Sequence, residues 1–313
     1  MEDDPRERWF AAMRAGDFAA AHSISDAVLA GRDRAARDNP RLPYHLRWVW
    51  DGRAFDHRDV LVRCYHGLGD TLQFARLLPF LSVRAASVYV EAPPPLLPLL
   101  ALIPGPVLFL PFHPATPTPP RECDIEIMEL FHALRVGRDE IPPPPDLRVP
   151  AIRIGTRAIG LCWAAGDWDK ARSVPLSRLL LACAGCGLRL VSLQRGAAAS
   201  SAIASRFINP GDNNMSLIRS AGLIRGLELV ITVDTMIAHL AGTLGVPAWV
   251  LLRREADWRW MEGGDDSPWY PGMRLYRQES EGDWEAPLAR LGADLRRLAA
   301  GSRPGYGHPN QRR

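Results

Sequence analysis

The chain contains the stretch Leu227-Glu-Leu-Val-Ile-Thr-Val233, followed directly by Asp234-Thr-Met-Ile-Ala-His-Leu-Ala-Gly242. The first part is a nearly continuous apolar run, which is typical of a strand buried on both faces of a parallel sheet. The second part has the apolar spacing of a helix, and Asp234 and Thr235 stand at the junction. A strand that passes directly into a helix is the unit of an α/β fold, so this stretch predicts one.

Further apolar runs in the second half have the same character, and polar residues follow them. They are residues 158–163, 188–193 and 246–252. Strands that alternate with helices predict a doubly wound parallel sheet. Sheets of this kind bind ligands at the carboxyl ends of their strands, which is where the polar clusters of this sequence lie. We expect one domain over residues 151–300 and a flexible tail over 301–313.

The first half of the chain contains a second series of strand candidates. They are residues 60–65, 88–91 and 125–127, with a helix predicted from Thr71 to Leu81. These short apolar runs predict another parallel sheet, in a domain over residues 46–150. The stretch from Pro142 to Pro145 resists regular structure and precedes the second series. We therefore expect the two domains to meet near residues 142–156.

The N-terminal residues have a helical composition over residues 6–37. Within them, Arg14-Ala-Gly-Asp-Phe18 is typical of the turn between two antiparallel helices. A repeat array needs about three such units, so we expect only a small helical cap over residues 1–45. The segment Arg47-Trp-Val-Trp50, followed by Asp51-Gly52, is a candidate strand and tight turn.

The composition restricts the partners and the compartment. A net charge of +3 over 313 residues gives no reason to expect nucleic acid as a partner. The five cysteines form no regular framework, which favours reduced thiols in a cytoplasmic protein. Cys183-Ala-Gly-Cys186 has no second pair of ligands at suitable spacing, so we expect no metal site. The apolar stretch 96–110 is broken by prolines and too short to span a bilayer, although peripheral contact with the inner membrane stays open.

The first candidate site is His66-Gly-Leu-Gly-Asp70, directly after the strand at 60–65. Glycines allow a sharp turn and a close approach of the backbone to a ligand. A carboxylate at Asp70 could accept the proton of an attacking hydroxyl as a general base. Aspartate is equally a favoured N-cap, and a helix that starts at Thr71 would use one. The motif alone leaves both interpretations open.

The second candidate site is the polar loop from Ala164 to Ser173, which contains Arg172 and Lys170, the chain's single lysine. An ammonium and a guanidinium that converge there would neutralise a diphosphate leaving group. The alternative is a solvated charged loop.

The third candidate site is the junction at Asp234 and Thr235. The free N–H groups at the start of the following helix, with the helix dipole, form an anion site suited to a nucleotide phosphate. His239 follows Thr235 by four residues, on the same helix face. The alternatives are that Asp234 is an N-cap and that His239 is a core histidine bonded to the backbone.

Two segments, His66-Gly-Leu-Gly-Asp-Thr-Leu-Gln-Phe74 and Val233-Asp-Thr-Met-Ile-Ala-His-Leu-Ala-Gly242, resemble the signature segments of glycosyltransferase family 9, the ADP-heptose:lipopolysaccharide heptosyltransferases. The likeness is to members that often follow tetratricopeptide repeats, and Asp257-Trp-Arg-Trp260 adds to it. The resemblance implies a GT-B fold with two Rossmann-like domains, the acceptor on the first and the donor on the second. It also implies inversion by direct displacement without a metal, and a helix at 284–298 that returns to the first domain.

The resemblance also implies roles for individual residues. Asp70 corresponds to the family's proposed base, and the loop with Lys170 and Arg172 corresponds to a stretch that contacts the donor phosphates. Further donor-binding residues are expected at the phosphate turn and its helix, namely Asp234, Thr235, Met236 and His239. Met236 replaces a small residue of the family pattern. Candidate substrate-binding residues are Gly67, Gly69, Gln73, Gln194 and Trp258.

Together these observations predict an inverting, metal-independent glycosyltransferase without a cofactor. It would move a heptose or hexose from a nucleoside diphosphate donor to a hydroxyl of a glycan, lipopolysaccharide, other lipid-linked or protein acceptor. Two alternatives stay open. One is a nucleotide-sugar-binding protein without turnover, which Met236 suggests, and the other is a GT-B nucleotide-sugar epimerase.

Overall fold

The computed structural model describes residues 4–155, 157–166, 169–200, 207–208 and 215–301. The chain divides into two compact units, which are Met1–Arg148 with Trp258–Glu262 and Val149–Asp257 with Gly263–Arg313. The tail predicted over 301–313 lies outside the described residues except for Gly301.

The first unit begins with the helical hairpin that the sequence predicts. Helix α1 spans Pro5–Ala15 and α2 spans Phe18–Ala30. Asp4 caps α1 by accepting the Arg6 N–H, and Asp17 caps α2 by accepting the Ala20 N–H. Gly16 ends α1 with φ +75°, a left-handed conformation that glycine adopts without strain. The turn between the helices is therefore encoded by a glycine C-cap that is followed directly by an aspartate N-cap.

The sheet of the first unit is parallel, with the strand order β3-β2-β1-β4. Its strands are β1 Asp59–Arg63, β2 Ser87–Ala92, β3 Val107–Pro111 and β4 Cys123–Glu126. Its helices are α3 Leu68–Phe74, α4 Leu78–Arg84, α5 Leu97–Leu100 and α6 Glu129–Ala133. Strand β1 lies between β2 and β4, with Val62 opposite Val90 and Ile125. The segment after β1 therefore leaves from the middle of the sheet.

Three expectations for the first unit were wrong in detail. The segment from Arg47 to Trp50 forms no strand, because the amides of Val49 and Trp50 donate to the Glu129 side chain instead of to a strand. The helix predicted from Thr71 to Leu81 begins earlier, at Leu68, and is divided into α3 and α4. Pro79 has no N–H for the carbonyl four residues earlier, so one continuous helix is not possible there. Strand β3 was missed within its proline-rich surroundings.

A buried histidine pair holds the hairpin to the rest of the first unit. The Nε2 atom of His22 in α2 lies 3.0 Å from the carbonyl oxygen of Val136. The Nδ1 atoms of His22 and His132 are 3.3 Å apart, and Nε2 of His132 is 3.2 Å from Asp26. Burial lowers the pKa of His132 to about 4, and the positive charge of Arg135 acts in the same direction. The neutral imidazole is therefore the form that the folded chain favours.

We expect the chain to lose stability as the pH falls from about 6.5 towards 4. The folded-state pKa of His132 lies below its ordinary value of 6.5, so the unfolded chain binds a proton more readily over this range. The His132→Gln variant removes this proton uptake. Its free energy of unfolding, from urea titrations near pH 7.5 and pH 5, should change by about 1–2 kcal/mol less than that of the parent. His113→Gln, at an exposed histidine, should behave as the parent; equal pH dependence in all three proteins would contradict the prediction.

The sheet of the second unit is also parallel, with the strand order β6-β5-β7-β8-β9. Its strands are β5 Ala158–Cys162, β6 Arg189–Ser192, β7 Leu229–Val233, β8 Ala248–Leu252 and β9 Met273–Arg277. Its helices are α7 Leu176–Ala182, α8 Leu217–Arg225, α9 Met236–Thr243 and α10 Glu285–Ala299. The four predicted strands are confirmed, and β9 was missed. Strand β7 lies at the centre and is wholly buried, as the opening stretch predicts.

Helix α10 belongs to the second unit, so the expected return of this helix to the first domain was wrong. Its apolar side carries Leu288, Leu291 and Leu295, which join the core formed with β-strand residues such as Ile159 and Trp249. The short segment Trp258–Glu262 is the part of the second half that belongs to the first unit. Among the described residues, no helix is both long and apolar enough for a membrane span.

Candidate active site

Asp70 lies at the carboxyl end of β1, in the first turn of α3. Gly67 is the N-cap of this helix, and its N–H donates to Oδ2 of Asp70 over 2.9 Å. Asp70 is thus the third residue of the helix and satisfies an amide outside it, as in a capping box. The N-cap alternative was therefore wrong in position, although the carboxylate does stabilise the helix start. A methyl group added at Gly67 would lie 3.1 Å from the same oxygen, which explains the small residue there.

Arg259 holds the second oxygen of this carboxylate. Its Nη2 atom donates to Oδ1 of Asp70 over 2.5 Å and lies 3.7 Å from Sδ of Met128. The guanidinium lies over the ring of Trp258 at 4.3 Å, and Arg259 is only 8% exposed. Asp70 is therefore fixed from two directions, by the backbone amide of the N-cap residue and by a residue 189 positions away in the chain.

His66 adds a second basic group beside Asp70. Its Nδ1 atom lies 3.0 Å from Oε1 of Glu126, at the end of β4. Burial alone would lower the pKa of His66, but the hydrogen bond that the imidazole donates to Glu126 and the charges of Glu126 and Asp70 outweigh it and raise the pKa. Glu126 also accepts the N–H groups of Tyr65 and Met128. The carboxyl ends of β1 and β4 are thereby connected through one charged cluster.

The remaining predicted residues of the first unit have different surroundings. Gly67 is exposed and Gly69 is half-buried at the start of α3. Gln73 is wholly buried in the same helix. Trp258 is buried and lies edge-on against Trp9 of α1, with ring centroids 5.2 Å apart. Gly67 and Trp258 border the Asp70 cluster directly, whereas Gln73 points into the interior of the unit.

In the second unit, Gln194 fixes the loop that follows β5. Its Oε1 atom accepts the N–H groups of Trp163 and Ala164 over 3.0 and 2.9 Å. Its Nε2 atom donates to the carbonyl oxygens of Ala164 and Arg195. The side chain is thus used in backbone hydrogen bonds and shapes the start of the charged loop.

The charged loop brings Arg172 to the end of β7. The Nη1 atom of Arg172 donates to the carbonyl oxygen of Asp234 over 2.9 Å and lies 3.5 Å from its Oδ2 atom. The Nε atom is 3.4 Å from a carboxylate oxygen of Asp169. Lys170 begins the same single turn of 3₁₀-helix and is exposed. Residues 167 and 168 of this predicted loop lie outside the described part of the chain.

Thr235 is the N-cap of α9, and its Oγ1 atom accepts the N–H of Ile237. The N-cap alternative for Asp234 was therefore wrong, since the cap is one residue later. Met236 is the first residue of the helix and is half-buried. The Ile237 and Ala238 amides are used by Thr235, so the start of α9 offers the Met236 amide and the positive end of the helix dipole beside Arg172, which is an arrangement suited to an anion.

His239 is buried, with its Nδ1 atom 3.1 Å from the hydroxyl of Tyr270. The alternative of a core histidine is correct in that His239 is buried, but its hydrogen-bond partner is the Tyr270 side chain and not the backbone. Sequence reasoning did not assign Glu126 or Arg259 to the sites. Arg259 lies within Asp257-Trp-Arg-Trp260, of which only Trp258 was a candidate site residue. Glu126 is the polar residue of the predicted strand Ile125-Glu-Ile127.

No protein-family model matches this chain. Protein FlbA of Caulobacter vibrioides is 34% identical over 80 residues, which are 26% of this chain. The match spans 13% of the length of that curated relative.

Several solved structures are similar to the chain in fold. The structure of a glycosyl transferase of family 9 from Veillonella parvula has a TM-score of 0.57 at 11% identity, over 80% of this chain and 98% of that one. The iron-containing dodecameric glycosyltransferase TibC from enterotoxigenic Escherichia coli has a TM-score of 0.53 at 15% identity, over 80% of this chain and 77% of that one. The ADP-heptose lipopolysaccharide heptosyltransferase II of Escherichia coli has a TM-score of 0.50 at 16% identity, over 78% of this chain and 99% of that one. These matches confirm the two-domain GT-B fold that the resemblance implies.

Proposed function

We propose that this protein is an inverting glycosyltransferase that moves a heptose or hexose from a nucleoside diphosphate to an acceptor hydroxyl, without a metal. The observation that carries the proposal is the meeting of Arg172 with the Asp234–Thr235 turn at the start of α9. This anion site lies at the carboxyl end of the central strand of the second sheet, where doubly wound sheets bind their ligands. The likeness in fold to family 9 structures supports the same class of reaction.

In the proposed donor site, the diphosphate lies against the N-terminus of α9. The Met236 amide and the guanidinium of Arg172 donate to its oxygens, and the exposed ammonium of Lys170 adds a second positive charge. These donors act most strongly on the leaving diphosphate, because negative charge builds up there as the sugar departs. Charge stabilisation of this kind requires no metal ligands. Within the described residues, no group of three His, Cys, Asp or Glu side chains is placed to hold a metal.

Asp70 is the proposed base. A carboxylate can accept about four hydrogen bonds, and from the described part of the chain Asp70 accepts two, from the Gly67 N–H and Arg259 Nη2. The remaining lone pairs can accept the proton of the acceptor hydroxyl. The acceptor oxygen then forms a bond to the anomeric carbon, and the bond from that carbon to the diphosphate oxygen breaks on the opposite face. The proton resides on Asp70 and the electron pair leaves with the nucleoside diphosphate, which inverts the configuration.

A nucleotide-sugar-binding protein without turnover is the second candidate, because Met236 stands at the phosphate turn with its side chain partly exposed. We propose to separate the candidates by incubating the purified chain with ADP-heptose and with UDP- and GDP-hexoses and following the products by NMR. TibC has been crystallised with ADP-D-β-D-heptose, which makes this donor the first to test. A transferase should release nucleoside diphosphate slowly in the absence of an acceptor. An intact donor that nevertheless protects the chain from unfolding would favour the binding protein, and an isomerised donor would favour an epimerase.

A further inference from the structure

The first unit contains a cavity of about 770 Å³, which we call the hairpin pocket. One wall is formed by the inner side of the α1–α2 hairpin, including Trp9 and Val28, and the segment with Trp48 adjoins it. Residues at the ends of β1 and β4, among them His66 and Glu126, also line the cavity. A volume of this size suits a ligand of one or two sugar rings.

The acidic groups of the hairpin pocket are occupied by protein donors. Glu126 forms the ion pair with His66 described above. Glu129 accepts the N–H groups of Val49, Trp50 and Glu126. Burial raises the pKa of Glu129 to about 7, so a part of this group is uncharged at neutral pH. These two carboxylates are therefore compensated or partly neutral, and the exposed Asp4, which also lines the pocket, accepts the Arg6 N–H.

The basic groups of the pocket differ from one another. Arg47 pairs with Asp38 at 3.3 Å and also donates to the carbonyl oxygen of Leu42. Arg32 lies 4.9 Å from the ring of Trp48, and Arg6 lies 5.6 Å from the ring of Phe10. Within the described residues, neither Arg6 nor Arg32 makes a side-chain hydrogen bond or an ion pair. Both arginines keep exposed surface. Partial burial lowers the pKa of Arg32, and the charge of Glu129 acts against this shift.

The hairpin places these two arginines at the same end of the pocket. Arg6 stands in the first turn of α1, and Arg32 follows Gly31, which ends α2. In an antiparallel helix pair the start of the first helix lies beside the end of the second. The pocket therefore has one end with available guanidinium groups, which recognise carboxylates and phosphates through several N–H donors.

The rings along the wall supply the second element of recognition. Trp9 and Trp48 are both half-buried, so each keeps a part of its surface towards the cavity. Aromatic rings stack on the apolar face of a sugar, while the charged end binds a polar substituent. Trp258, whose ring lies 4.3 Å from the Arg259 guanidinium, also lines the pocket. Because Arg259 binds Asp70, the Trp258 wall adjoins the Asp70 cluster, although Asp70 itself is not among the residues that line the pocket.

We propose that the hairpin pocket binds a sugar that carries a carboxylate or a phosphate, with its anionic group on Arg32 and Arg6 and its ring along Trp9. Resting on the proposed function, this sugar is the part of the acceptor that presents its hydroxyl towards Asp70. The hairpin is then an element of acceptor selection and not only a cap.

The test uses glucose, glucuronate and glucose 6-phosphate, which share one ring and differ at a single carbon. Binding to the full chain is measured by saturation-transfer NMR titration. We expect the two anionic sugars to bind about tenfold more tightly than glucose, since charged hydrogen bonds add to the ring contact. The ratio between glucuronate and glucose 6-phosphate shows which anion the site prefers. Equal affinity for glucose and both anionic sugars, or no binding of any of the three, would overturn the proposal.

Matched variants locate the binding. Arg32→Gln should remove the preference for the anionic sugars, whereas Arg34→Gln, at an exposed arginine that does not line the pocket, should keep it. Trp9→Ala should weaken all three sugars, whereas Phe80→Ala, at an exposed ring of the same unit outside the lining, should not. A preference that survives Arg32→Gln would overturn the assignment.

The donor site provides an independent control. Nucleoside diphosphate binding is measured in the same variants by the rise in melting temperature. If a diphosphate binds and donor turns over while no anionic sugar binds, the pocket assignment fails and the proposed function stands. If anionic sugars bind through Arg32 and no diphosphate binds, the proposed function fails instead.

Discussion

The Asp70→Asn variant should fold and bind donor, with a lower melting temperature because the ion pair with Arg259 is lost, yet transfer sugar at least about a hundredfold more slowly. An amide oxygen at this position can still accept the Gly67 N–H, so most of the helix-capping contribution is kept. The amide cannot accept the proton of the acceptor hydroxyl. The loss should therefore appear in kcat and kcat/KM together, as for an interaction made in the transition state. The measurement is a steady-state assay with donor and acceptor, beside the melting temperature.

Glu140→Gln is the matched control for this variant. Glu140 is also the third residue of a helical turn in the first unit, and its Oε2 atom accepts the Gly137 N–H over 3.3 Å. Both substitutions thus change a carboxylate that satisfies a glycine amide, but only Asp70 is joined to Arg259. We expect Glu140→Gln to leave the rate unchanged. Near-parental turnover of Asp70→Asn would show that its carboxylate is structural.

Arg172→Gln should weaken nucleoside diphosphate binding by about 1.5–3 kcal/mol, or roughly 10- to 150-fold in Kd. The guanidinium is the charged donor nearest to the start of α9, and it also holds the Asp234 carbonyl oxygen. The substitution removes the proposed contact with the diphosphate. It also removes the hydrogen bond that holds the Asp234–Thr235 turn at the start of α9. Calorimetry at constant ionic strength measures the effect.

Arg178→Gln is the control, because Arg178 is an exposed arginine of α7 in the same unit. It should retain parental affinity. Lys170→Ala tests the second cation of the loop, and a loss similar to that of Arg172→Gln is expected if the ammonium contacts the diphosphate. An affinity that is unchanged in Arg172→Gln would reject this end of α9 as the donor site.

Local patterns were sufficient for much of the fold. The run from Leu227 to Val233 has a composition that only a buried parallel strand explains well, and it is the central strand of its sheet. The Gly16-Asp17 pair encodes the hairpin turn through a helix stop and a helix start. In both cases the deciding interactions lie within a few residues along the chain, so the sequence displays them directly.

Other features depend on contacts between distant parts of the chain. The pairing of Arg259 with Asp70 joins residues 189 positions apart, and no spacing rule marks it. The segment from Arg47 to Trp50 is strand-like in composition, but the carboxylate of Glu129 takes two of its amides. The domain bounds placed helix α10 in the second domain, but the resemblance implied that it packs back on the first. Its amphipathic pattern shows that one side is buried and does not show against which core.

The central claim is that the second unit binds a nucleoside diphosphate at the start of α9. The most direct measurement is the melting temperature of the full chain with ADP, UDP, GDP, CDP and TDP, each compared with its nucleoside. A ligand that binds only the folded chain, at a concentration of about 100 times its Kd, raises the free energy of unfolding by about 2.7 kcal/mol. We predict a clear rise for at least one diphosphate, little or none for its nucleoside, and loss of the rise in Arg172→Gln. No rise with any diphosphate, or an equal rise in Arg172→Gln, would contradict the claim.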